Sequence, residues 1–184
     1  MMSANVSSWK KLFYFCLGLF LASAFCMKWM EPEFISRGKM FSIMDLELYL
    51  GKDELQQLLL NLDDKTSTIV NYHLHFDFLF MAGVFPGIAC LCMLTRARIQ
   101  KERRSIRSIL FVMASLQLFA WSFDIYENTH LLKWLKHPDS IDDIGLYHAL
   151  VRSKFVLAFS GIIIAGLAFL TSLKKTRPKI LAEI

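Results

Sequence analysis

Four stretches of this chain run for about twenty residues with little or no internal charge, the length an α-helix needs to cross a hydrocarbon core about 30 Å thick. They cover about 12–30, 74–95, 108–127 and 150–173. Nothing else in the sequence restricts the fold as strongly, because a segment in lipid must satisfy its backbone N–H and C=O groups within itself. Composition points the same way. Hydrophobic residues make up 55% of the 184, and the mean hydropathy of +0.41 is too high for an ordinary soluble domain. The expected fold class is therefore all-α, an integral membrane antiparallel four-helix bundle forming one domain over residues 1–184.

Basic residues orient such a bundle. The connection 96–107, RARIQKERRSIR, carries six Lys/Arg against one Glu. Lys10 and Lys11 precede the first stretch, and Lys174, Lys175, Arg177 and Lys179 close the last. With an even number of spans these segments share one side, which the positive-inside rule makes cytoplasmic, with both termini there. The segment 31–71, on the opposite side, holds eight Asp/Glu and four Lys/Arg. The net charge of +5 thus reflects topology; the expected partner is the lipid bilayer and not nucleic acid. Lys10, Lys11 and the triplet Ala22-Ser23-Ala24 imitate a cleavable signal peptide, but the apolar run continues to Met30, so an uncleaved first span is expected. All four cysteines fall inside apolar stretches, which speaks for packing and against a disulfide framework.

The outer segment contains DELQQLLLNLDD, where Leu55, Leu58, Leu59 and Leu62 recur at helical spacing behind Asp53 and Glu54. It predicts an amphipathic helix over 53–62, lying on the bilayer surface or capping the bundle. Gly161 and Ala165 have small-xxx-small spacing, which suits close helix packing inside the bundle, a helix-mediated oligomer or a membrane partner.

Depth counting brings the polar residues together. At about 1.5 Å per residue from the basic end of each span, Asp77 stands roughly 28 Å up, Asp124 roughly 26 Å, and Glu127 and Lys154 roughly 30 Å. Three helices therefore deliver ionisable groups to one level near the outer boundary of the hydrocarbon. His73 lies one turn above Asp77, and Tyr147 lies two turns above Lys154. Gln117, Asp124, Glu127 and Asn128 share one stripe of the third span.

Two classes of role are open for this layer. It can be structural, as helix ends leaving lipid or as an ion-pair network fixing helix registry. It can also be functional. Asp77, Asp124 and Glu127 are candidate acid/base residues acting on a lipid or small-molecule ligand, with His73, Gln117, Asn128, Tyr147 and Lys154 as binding groups. Alternatively Asp77, Asp124, Glu127 and His73 form a ligand set for a divalent cation, although no H-E-x-x-H spacing identifies a metal, and the sequence leaves the cofactor open. A proton or cation path finds no polar groups in the inner half of the spans. A haem between His73 and His148 is disfavoured because both lie too near the surface.

The segment YHLHFDFLF from residue 72, the D-I-Y-E-N that closes the third span, and the lysine early in the fourth resemble a group of small, poorly characterised bacterial four-helix membrane proteins. The resemblance takes in the helix-like segment around 49–62 and so covers most of the chain. It implies a bacterial inner-membrane protein in which Asp77, Asp124, Glu127, Asn128 and Lys154 match the polar pattern. It implies no particular activity. A looser, architectural similarity is to the EXPERA group of sterol isomerases and sterol-binding proteins, and it implies an acidic, lipid-accessible cavity.

Overall fold

The computed structural model describes residues 2–142 and 144–174, so the basic tail residues Lys175, Arg177 and Lys179 lie outside the described residues. The chain is helical nearly throughout. Helix α1 spans Met2–Met30, α2 Lys52–Leu60, α3 Asp64–Arg98, α4 Arg104–Lys136 and α5 Ile144–Lys174. Helices α1, α3, α4 and α5 are each long and apolar enough to cross a membrane. Helix α3 is central, packing against α1, α4 and α5, while α4 also packs on α5.

Helices α3 and α4 extend past the apolar stretches that announce them, from Asp64 instead of 74 and on to Lys136 instead of 127. Polar end-groups make this extension stable. Asp63 caps α3 by accepting the Thr66 backbone N–H at 2.7 Å, which satisfies one of the free donors of the first turn. At the other end Arg107 Nη1 donates to the carbonyls of Arg96 (2.9 Å) and Ile99 (2.8 Å), closing the tight link to α4.

Between α1 and α3 the chain builds a cap that hydropathy does not reveal. It begins with a 3₁₀ turn, Glu31–Glu33, followed by two short antiparallel strands, β1 (Ile35–Ser36) and β2 (Lys39–Met40). Arg37 and Gly38, at φ +50° and +73°, make the two-residue turn between them. A π-helical turn, Asp45–Tyr49, leads into α2. Helix α2 opens with the Glu54 carboxylate accepting the Gly51 N–H at 3.0 Å, and it buries Leu55 and Leu59. Leu58 and Leu62 are partly buried in the same cluster as Phe34, Leu46, Trp134, Tyr147 and Val151. The leucine face of α2 therefore caps the long helices.

Two glycines set helix spacing. A Cβ on Gly83 would lie 2.7 Å from the Phe20 nitrogen and 2.8 Å from the Cys16 carbonyl oxygen, so α1 approaches α3 backbone to backbone. One on Gly161 would meet Gln117 Nε2 at 2.7 Å and Ile88 Cγ2 at 2.8 Å, so the small-residue spacing in α5 serves contacts within the chain. The four cysteines are free, and Cys16, Cys90 and Cys92 are buried in these contacts.

Candidate functional site

Under the cap, α3, α4 and α5 place their polar side chains against one another. Lys154 of α5 is the centre. Its Nζ lies 2.6 Å from Asp124 Oδ1 and 2.5 Å from Glu127 Oε2, the two acids being almost one turn apart on α4. A third carboxylate arrives from the cap: Glu47 Oε2 is 3.8 Å from the same ammonium. Beside this group Asp77 of α3 accepts a hydrogen bond from the Asn128 amide of α4. All six side chains are enclosed, with exposures between 0% for Glu127 and Asn128 and 7% for Asp77.

Each side chain reaches the site for a local reason. Asp124, Glu127 and Asn128 share the inward stripe of α4 with Leu131, while Ile125 points outward. His73 and Asp77 lie one turn apart on the inward face of α3, and His75 between them is exposed. Glu47 sits in the π-helical turn next to Leu46, whose burial in the cap's apolar cluster draws that turn down onto the helices.

The site is short of positive charge. When ionised, Glu47, Asp77, Asp124 and Glu127 set four negative charges against the single ammonium of Lys154. Uncompensated charges away from water are costly, by several kcal/mol per ion even after relaxation. Burial accordingly pushes the Glu47 carboxyl above its ordinary value of 4.5, with Lys154 pulling it back and Asp124 adding to the rise. Glu127 Oε2 is engaged by the Lys154 ammonium, whereas Glu127 Oε1, Asn128 Oδ1 and the Tyr147 hydroxyl have no hydrogen bond. Tyr147 is fully buried, its ring tilted 56° against that of Trp134 with centroids 4.8 Å apart, and it lies within electrostatic reach of all four acids.

Other side chains singled out by the sequence take different places. His73 is buried but packs edge-on against Phe34 at 5.1 Å, and neither ring nitrogen has a partner. It makes no hydrogen bond to Asp77, which accepts one from the Asn128 amide instead. Gln117 donates to the Leu157 carbonyl at 3.1 Å and to the Met113 carbonyl at 3.3 Å, tying α4 to α5 below the cluster. Among the described residues no group of three His, Cys, Asp or Glu side chains is arranged to hold a metal ion. Lys154 Nζ occupies the point that Asp124 and Glu127 share. The layer is also enclosed, unlike the lipid-accessible cavity that the looser architectural similarity implies.

Glu47 is the member that sequence reasoning missed. It reads as one of eight acids in a polar outer segment. The available signal was its setting, IMDLELYL, in which an acid between leucines is poorly suited to a solvated loop.

Comparison with protein-family models, curated proteins and solved structures gave no match to this chain.

Proposed function

We propose that this chain is a four-span inner-membrane protein, with both termini cytoplasmic, that handles a lipid or small-molecule ligand at the buried acid–lysine site on its outer side. Support for membrane insertion comes from an inside-out arrangement of side chains. Only 11% of the apolar window of α1 and 17% of that of α5 is buried, and Phe15, Leu118, Val156 and Leu167 are all at least 60% exposed, while four acids and a lysine are enclosed among the helices and the cap. In water such apolar surface would be a severe aggregation liability; in lipid it is solvated.

The observation that carries the functional reading is the excess of carboxylates. A lock that only fixed helix registry would need one carboxylate for its ammonium. Here Glu47, Asp124 and Glu127 converge on Lys154, with Asp77 alongside. Carboxyl groups crowded in this way can hold and exchange protons, or compensate the charge of a cationic group on a ligand. Asp77, Asp124 and Glu127 serve as acid/base or cation-binding groups, Lys154 is the counter-charge, and Tyr147 supplies a free hydroxyl. Glu47 is carried by the cap, so moving the 45–49 turn would open the site and remove one acid from it together.

A second reading has an observation of its own. The 2.6 and 2.5 Å contacts of Lys154 join α4 to α5 inside a closed interior, as they would in a non-catalytic subunit or assembly factor. The two readings separate on the variants Asp77→Asn and Asp124→Asn. Native mass and thermal stability would be measured on protein taken from its own membrane. The ligand reading expects bound mass on the parent chain that the folded variants lose. Variants that fold with unchanged stability and keep every bound species would refute it, and variants that fail to fold favour the structural lock.

A further inference from the structure

A second feature lies away from the acid site, at the opposite, basic end of the helices. An apolar groove of about 250 Å³ runs along α3 between α1 and α5, lined by Phe13 and Leu17 of α1, Gly83, Gly87 and Leu91 of α3 and Ile162 of α5. Gly83 and Gly87 are one turn apart on the groove floor; a Cβ on Gly83 would strike the α1 backbone and one on Gly87 would lie 3.4 Å from Cys16 Cβ, so the glycines let α1 form one wall of the slot close against α3. Every residue lining the groove is apolar or glycine. A second cavity of about 290 Å³ continues it toward the basic end, since Phe13 and Leu91 line both. Its character is different. Lys10 and Arg98 stand on its wall with Tyr14 and Thr95, no acidic residue among those described lines it, and the Arg98 guanidinium lies 4.8 Å above the Phe169 ring, which holds it at the rim.

An apolar slot ending in paired cations has the polarity of one kind of molecule in a bilayer. We infer that this composite groove binds a single anionic phospholipid, with an acyl chain along the α3 glycines and its phosphate against Lys10 and Arg98. Charge complementarity decides the occupant. A transmembrane helix from a second copy would fill the apolar half and leave the two cations unmatched, whereas a zwitterionic lipid would bring its own cation to them. Basic residues near a membrane surface each favour anionic lipid, so headgroup discrimination should fall roughly fivefold for each one removed. The inference rests on the membrane-spanning reading but not on any role of the acid site.

Delipidated protein would be titrated with phosphatidylglycerol and with phosphatidylcholine of the same acyl chains, and retained lipid counted by native mass spectrometry. One phosphatidylglycerol should be retained in preference to phosphatidylcholine. Lys10→Gln with Arg98→Gln should abolish the preference while leaving weak binding of both lipids. Leu17→Trp, which fills the groove from a partly exposed position, should weaken both. Equal retention of the two lipids by the parent chain, an undiminished preference in the double variant, or a dimer whose formation excludes lipid would each overturn the inference. Extraction of membranes with alkaline carbonate is the separate control. Protein released into the soluble fraction contradicts membrane insertion itself, whereas protein that stays in the membrane but ignores headgroup charge contradicts only the lipid site.

Discussion

Removing the Lys154 ammonium leaves Glu47, Asp124 and Glu127 facing one another in an enclosed space with no cation between them. Breaking a buried pair from one side costs about 3–5 kcal/mol, so Lys154→Met should lose at least that much in unfolding titrations in detergent micelles. A loss below about 1 kcal/mol, the range of an exposed pair, would show that the ammonium is solvated. Most of this constellation is legible from residue positions. Rise per residue along a regular helix converts position into height, so Asp77, Asp124, Glu127 and Lys154 can be placed at one level without coordinates. Pairing is not legible in the same way. Height does not say that the Asn128 amide, and neither His73 nor Lys154, meets Asp77, because that depends on how far each helix is rotated about its axis.

At the level of elements, the close approach of α5 to α4 and α3 is set by the missing side chain of Gly161. Gly161→Ala pushes a methyl group into Gln117 Nε2 and Ile88 Cγ2, overpacking that typically costs about 1–3 kcal/mol. Gln117→Ala removes one of the two clashing groups, so the double variant should recover part of that loss in a double-mutant cycle; strict additivity would contradict the contact. The start of α3 offers a test by pH. The Thr66 N–H holds the Asp63 carboxyl below its ordinary value of 3.8. Stability from this cap is therefore present above that value and lost as pH falls through the lower folded one. Hydrogen exchange in the first turn of α3 should quicken on acidification, and Asp63→Asn, which caps without ionising, should not show the change. The long helices were readable because uninterrupted apolar runs admit few alternatives. The cap was only partly readable. The leucine spacing reveals α2, but the two-residue strands and the π-helical turn carry no periodicity long enough to detect, and Glu47 was lost with them.

Across the whole molecule, large apolar side chains stand exposed along the long helices while a polar layer is enclosed among them, and this makes the charge balance of that layer decisive. The enclosed layer of Glu47, Asp77, Asp124, Glu127 and Lys154 carries more carboxylates than its single ammonium can neutralise. Composition marks helices apolar enough to cross a membrane but cannot reveal this imbalance, because Glu47 enters the layer only through the fold of the cap. Thermal stability of the parent chain and of Glu47→Gln, compared across pH, tests it most directly. The folded-state value of Glu47 is raised above 4.5 by burial, so its contribution is fully present below that pH and is lost as pH rises toward the folded value. Glu47→Gln should therefore match the parent chain in acid and become the more stable of the two as pH rises. A variant that is instead about 3–5 kcal/mol less stable at neutral pH would identify Glu47 as a required counter-ion of Lys154, and the layer as a balanced lock with no surplus acid.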